Sequence, residues 1–189
     1  MARSAPDDAA QAGLLIAHAL QAAGFSHALG GALALGAHGV PRGTLDVDVN
    51  VFVPEAEVPR VIDCLQGLGV AIDKPGALAR AGRDGMFVGS WSGMRIDVFV
   101  PSIPFSAEAA NKRVLLTSVD GESAWFLAAE SLAVFKLMFF RPKDLADLER
   151  LVAIQGSALD RGYVRTWIAD MMGDQDERVR AWDDLCRRF

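Results

Sequence analysis

Cysteine, histidine and tyrosine are scarce in this chain, with two, three and one respectively among 189 residues. Cys64 and Cys186 lie far apart in segments of helical pattern, which excludes a disulfide framework and reads as free thiols in a reducing cytoplasm. His18, His27 and His38 are scattered, so no zinc site is visible. No apolar run approaches the roughly 20 residues needed to span a bilayer. The first residues, MARSAPDDAAQ, lack the charged-then-apolar order of a signal peptide. Positive charge is also in deficit: 19 Lys and Arg face 24 Asp and Glu, a net −5 that disfavours a broad grip on nucleic acid. These absences leave a cytoplasmic protein with no membrane partner.

What remains is 51% apolar and 23% charged, enough for one substantial core with a small helical appendage. Leu14, Leu15, Ala17, His18 and Leu20 recur at helical spacing over residues 7–24, with Asp7 or Asp8 as cap and Gly24 as stop. A short strand at 25–29 precedes Gly30-Gly31, a helix at 32–38 and a glycine- and proline-marked turn. A strand at 45–53 and a helix at 55–68 follow. Residues 70–72 suit a short strand, and 73–84, with two glycines and a proline, read as a loop. Ser92-Gly93 separates two strand-like runs, a hairpin. Residues 104–111 read as a loop or one helical turn, and 113–118 and 123–127 as strands. From 128 onward the pattern is helical, with segments at 130–140, 143–155, 163–172 and 176–188. This order predicts an α+β fold, with a core at 1–127 and a helical part at 128–189 packed on it.

The segment GGALALGAHGVPRGTLDVDVNVFV concentrates the chemistry. In the strand at its end Leu45, Val47, Val49, Val51 and Val53 share one face, and Asp46, Asp48 and Asn50 share the other. Two carboxylates two residues apart on a strand are about 7 Å apart along the chain and can lean onto one divalent cation or a pair. Aspartate is depleted from strands, so two in successive outward positions need a reason. The plain alternative is an acidic outer face. Gly30 and Gly31 open a helix whose N–H groups can cradle phosphates, or else form only a strand-to-helix turn. Arg42 and Thr44 can reach phosphates, or belong to a solvated loop.

Asp97 lies mid-strand in MRIDVFV, with Arg95 and Phe99 on its face. Three carboxylates brought together repel unless a cation sits among them, and magnesium (or manganese) suits such a cluster. The alternative is a simple ion pair with Arg95. Lys136 is the only charge in SLAVFKLMFF; it either snorkels along its stem or presents a cation to a triphosphate.

These motifs together resemble the nucleotidyltransferase-fold superfamily, DNA polymerase β-like, and within it the AbiEii-type and other minimal bacterial nucleotidyltransferases, which include toxins of toxin–antitoxin pairs. The resemblance spans about residues 26–152. It implies a small mixed sheet flanked by helices. Gly30 and Gly31 match the phosphate-side motif, though without the serine of many relatives. Asp46 and Asp48 match the metal-binding pair, and Asp97 matches the third carboxylate, which also helps deprotonate the attacking hydroxyl. Lys136 and Asp144, or Asp147 in its place, match the downstream helical positions, and Arg42 and Lys136 would neutralise phosphate charge.

The expected activity is Mg²⁺-dependent transfer of a nucleoside monophosphate from an NTP to an acceptor hydroxyl on an RNA end, a protein or a small molecule. Catalytic residues are expected to be Asp46, Asp48, Asp97 and Lys136, and nucleotide-binding residues Gly30, Gly31, Arg42, Thr44, Lys136 and Asp144. An antitoxin or a second copy of the chain would be a partner. The alternative is a catalytically silent member of the fold acting as a binding protein.

Overall fold

In the computed structural model, which describes residues 5–118 and 121–189, the chain forms two compact units. One comprises the chain up to Leu33 together with Gly43–Leu127, and the other Ala34–Arg42 with Ala128–Phe189. Residues 34–42, expected within the core, group instead with the helical unit.

The first unit begins with helix α1 (Ala9–Ala22), capped by the Asp8 carboxylate accepting from the Gln11 N–H at 2.8 Å. Strand β1 (His27–Leu29) leads to a short helix, α2 (Gly31–Ala37), whose residues are shared between the two units. Strand β2 (Asp46–Val51) follows. Helices α3 (Val58–Leu68) and α4 (Lys74–Asp84) then lead to the hairpin of β3 (Met86–Trp91) and β4 (Met94–Phe99). Helix α5 (Phe105–Lys112) and strands β5 (Val114–Thr117) and β6 (Ser123–Phe126) complete the unit. Among the described residues the strands form one mixed sheet in the order β3-β4-β2-β1-β6-β5. β2 runs parallel to β4 and β1 parallel to β6, while the other neighbours are antiparallel. Val47, Val49, Ile96 and Val98 from the central strands are fully buried against Ile16 and Leu20 of α1 and Ile62 and Leu65 of α3 in one apolar cluster.

Three local expectations change. Residues 73–84 are not a loop: Pro75 sits in the first turn of α4, where a missing N–H costs nothing, and Ala77 and Ala81 bury one face. Gly85, at φ +69°, then closes the helix in a conformation that disfavours other residues. Residues 105–112 form two helical turns because Phe105 and Ala109, four apart, are both fully buried. The strand expected at 70–72 is reduced to an isolated bridge, with the Ala71 N–H donating to Ser90 O at 2.8 Å and the Ser90 N–H returning to Ala71 O at 3.0 Å.

The helical unit contains α6 (Ala129–Phe139), α7 (Pro142–Gln155), α8 (Arg161–Met172) and α9 (Glu177–Arg188). Leu132, Leu137, Leu148, Leu151, Ile168 and Trp182 are among its buried side chains. No helix among the described residues is long and apolar enough to cross a membrane.

His27 of β1 is buried, with Nδ1 2.9 Å from Phe25 O. Burial lowers its pKa below the usual histidine value, reinforced by the charge of Arg113, while its bond to Phe25 acts in the opposite sense. The folded protein therefore favours neutral His27, and the unfolded chain binds the extra proton first. Its stabilising contribution is complete above the unfolded histidine range and is lost as pH falls through that range towards the lower folded value. Urea unfolding is expected to show lower stability at pH 5 than at pH 7.5, with part of that difference removed in a His27→Asn variant.

Candidate active site

The acidic face is built by strand pairing. In the parallel pair, Asp46 lies opposite Arg95, Val47 opposite Ile96, and Asp48 opposite Asp97. Because side chains alternate along each strand, Asp46, Asp48, Arg95 and Asp97 share one face while Val47 and Ile96 enter the core. The sheet thus brings the three expected carboxylates onto the same side.

Leu45 does not join the valine face as expected and is 78% exposed. The strand starts one residue later, where the Asp46 N–H donates to Thr44 Oγ1 at 3.0 Å and the Thr44 hydroxyl donates to Asp46 O at 3.1 Å. Thr44 therefore folds back to start β2, and its hydroxyl is engaged there rather than held out for a phosphate. Asn50, expected beside the aspartates, is buried.

The glycine pair packs directly on this face. The Gly30 N–H donates to Asp48 O at 2.8 Å and is therefore spent on the strand. Gly31 adopts φ +51°, and a Cβ placed there would lie 1.8 Å from Asp48 Oδ2. Only glycine lets the helix begin against the Asp48 carboxylate. A phosphate cradle made by both N–H groups is thus reduced to Gly31 and the first turn of α2.

Asp97 is engaged by its neighbour on the strand. Arg95 Nε donates to Asp97 Oδ1 at 2.8 Å and Oδ2 at 3.1 Å. The hydrogen bond and charge of Asp97, with smaller contributions from the charges of Asp46 and Asp48, raise the Arg95 pKa further above its already high value. Among the described residues no hydrogen bond or ion pair engages the Asp46 carboxylate. No three His, Cys, Asp or Glu side chains among them converge closely enough to hold an ion. The expected carboxylate trio is therefore present in register but not gathered, because the third member is turned onto Arg95. The donor set still fits a hard divalent cation: magnesium takes one or two carboxylates and completes its shell with water and phosphate oxygens.

Lys136, Asp144 and Asp147 belong to the helical unit. Lys136 neither snorkels nor presents an unengaged cation: it is buried, with Nζ 2.7 Å from Asp147 Oδ2 and 3.6 Å from Asp144 Oδ1. Arg42 reaches Asp147 with Nε 3.3 Å from Oδ1 and Nη2 3.4 Å from Oδ2. Asp144 caps α7, accepting from the Arg141 N–H at 3.2 Å and from Arg141 Nε at 2.6 Å. Burial alone would raise the Asp144 pKa, but the bonds from Arg141 and the charges of Lys136 and Arg141 hold it below the ordinary carboxylate value. Arg42 and Lys136, expected to neutralise phosphates, thus serve a buried ion network. The motif places Asp147 behind Asp144, yet Asp147 is the residue that joins Arg42 to Lys136. The one signal for this in the sequence is a lone lysine in an apolar run, which needs a buried counter-charge.

No protein-family model matches the chain, and no curated protein matches it in sequence. Solved structures do. The chain is similar to the antibiotic-resistance factor ANT(2″)-Ia in solution, with a TM-score of 0.56 and 13% identity over 93% of this chain and 95% of that one. It is similar to an antigenic nucleotidyltransferase-like protein from Paracoccidioides brasiliensis, with a TM-score of 0.51 and 14% identity over 94% of each chain. It is also similar to ANT(2″)-Ia in complex with adenylyl-2″-tobramycin, with a TM-score of 0.55 and 14% identity over 89% of this chain and 93% of that one. The protein thus has a mixed α+β, nucleotidyltransferase-like fold, as the sequence motifs imply. A particular closeness to AbiEii-type enzymes does not emerge from these neighbours.

Two substitutions separate the roles of these groups. Lys136→Ala leaves buried Asp147 with only the longer contacts from Arg42 and is expected to lower stability in urea unfolding by about 1–3 kcal/mol. Gly31→Ala forces Asp48 aside and imposes an unfavourable φ, so it is expected to lower the melting temperature measured by calorimetry.

Proposed function

We propose that this chain transfers a nucleoside monophosphate from an NTP to an acceptor hydroxyl. The observation that carries this reading is the parallel register that sets Asp48 beside Asp97, with Asp46 two residues upstream on the same face and Gly31 against the Asp48 carboxylate. Asp46 and Asp48 would hold magnesium, with Asp97 as the third carboxylate. Bound there, the cation supplies charge neutralisation for the triphosphate.

The residues of this chain do the rest. Gly31, lacking a side chain, lets the Asp48 carboxylate lie against the start of α2, so that metal-bound phosphates would sit near N–H groups with no intrahelical partner. An Asp97 carboxylate oxygen takes the proton of the acceptor hydroxyl as its oxygen bonds to the α-phosphorus. The bond from that phosphorus to the bridging oxygen breaks, and pyrophosphate leaves with the electron pair. Little covalent chemistry falls to the protein, so position and charge supply most of the rate.

A small-molecule acceptor is the reading best supported among RNA, protein and small molecule. The net charge of −5 disfavours an extended polyanion, and ANT(2″)-Ia, whose complex holds adenylyl-2″-tobramycin, matches this chain over nearly the whole of both.

Incubation with each α-labelled NTP, Mg²⁺ and three acceptor pools, namely aminoglycosides including tobramycin, total RNA and cell protein, tests the proposal. Label is expected in the small-molecule pool, with about a 100-fold or greater loss in Asp48→Asn. Undiminished transfer by that variant would overturn the site. An NTP at 100 times its Kd should also stabilise the parent by about 2.7 kcal/mol in a Mg²⁺-dependent way.

A further inference from the structure

The carboxylate face carries its own cation. Asp46, Asp48 and Asp97 set three negative charges on neighbouring positions of two parallel strands, and Arg95 is the one basic side chain in their register, opposite Asp46 and two residues before Asp97. Its Nε–H is shared between both Asp97 oxygens at 2.8 and 3.1 Å. Those same oxygens are the ones a metal ion would take. Asp97 is only 16% exposed at its side chain and is held within the sheet, whereas Arg95 is 54% exposed and has solvent on its outer side. The partner able to leave is therefore the arginine.

We propose that Arg95 is a resident counter-ion that occupies Asp97 until a divalent cation arrives, so that cation entry at Asp97 is an exchange of one positive charge for another. This rests on the nucleotidyl-transfer reading of the same face. No bond to carbon or phosphorus changes in the exchange: an N–H···O contact is given up, an oxygen–cation contact is made, and the guanidinium keeps its proton as it moves into water. The arrangement has two consequences. Without the cation, Arg95 prevents the three carboxylates from repelling one another and lets the sheet fold without metal. With it, cation binding is weakened by the strength of the ion pair that must be broken. Nucleotide phosphates add further anionic oxygens to the cation and offset that loss, so binding of cation and NTP is cooperative. Arg95 is accordingly a positioning residue, acting on Asp97 rather than on substrate.

The test is Mn²⁺ titration by calorimetry and by the water-proton relaxation of the ion, with and without a non-hydrolysable NTP, on the parent, Arg95→Met and Arg95→Lys. Without nucleotide, Arg95→Met is expected to bind Mn²⁺ about two- to fivefold more tightly than the parent, the size of a partly exposed ion pair. Arg95→Lys, which keeps the charge but not the planar fork, is expected to fall between them. The melting temperature of Arg95→Met should fall without metal and rise more steeply with added Mn²⁺ than that of the parent. If the parent binds Mn²⁺ with nucleotide and Arg95→Met binds it no more tightly than the parent without nucleotide, the exchange is wrong while the metal site stands. If the parent binds no Mn²⁺ even with nucleotide, the nucleotidyl-transfer reading fails and the exchange fails with it.

Discussion

The in-register parallel pairing of β2 with β4 is the constraint on which the candidate site depends. Parallel neighbours cannot be joined by a tight turn, and here the chain passes through α3, α4 and β3 before β4 returns beside β2. A slip of one residue would turn Asp97 into the core and Ile96 out to solvent. The apolar partners forbid that slip: Val47 faces Ile96 and Val49 faces Val98, all fully buried. The polar geometry is therefore held by the hydrophobic effect acting on the opposite face of the same two strands.

Carboxylates are held in two different ways in this protein. Asp144 and Asp147 are buried and locked by Lys136, Arg42 and Arg141 within the helical unit, where loss of one partner weakens the compensation of a buried charge. Asp46, Asp48 and Asp97 are only partly buried, and Asp97 has a half-exposed partner. The first arrangement suits a fixed scaffold and the second suits exchange. As the only charge in the apolar run SLAVFKLMFF, Lys136 has the sequence signature of a chemical group, but its surroundings make it part of the scaffold.

Strand alternation makes the central sheet legible in the sequence, since valine at every second position between aspartates matches a half-buried strand and fits no helical period. The glycine pair is legible as a turn, but its closeness to Asp48 follows from tertiary packing and leaves no mark on local pattern. Helix α4 is hidden because Pro75 and Gly76 signal a break wherever they occur, and only the burial of Ala77 and Ala81 reverses that signal. The fate of Lys136 is illegible for another reason: α6 is apolar on nearly every side around it, so periodicity cannot say where that lysine points. Assignment of residues 34–42 to the helical unit rests on contacts such as Arg42 with Asp147, 105 positions apart in the chain.

The acidic face is hard to account for as a product of folding alone. Aspartate is a poor strand former, and like charges on adjacent strands oppose folding. One arginine cannot neutralise three carboxylates. Residues chosen only to stabilise a sheet face in contact with water would be threonine or mixed charges, and nothing in the core requires Asp46 or Asp48, whose valine neighbours supply the burial. Gly31 takes a positive φ that glycine adopts without strain, and its missing Cβ lets the Asp48 carboxylate lie against the helix start. Like charges kept on one face at a cost to folding are what the cation of the proposed function would offset.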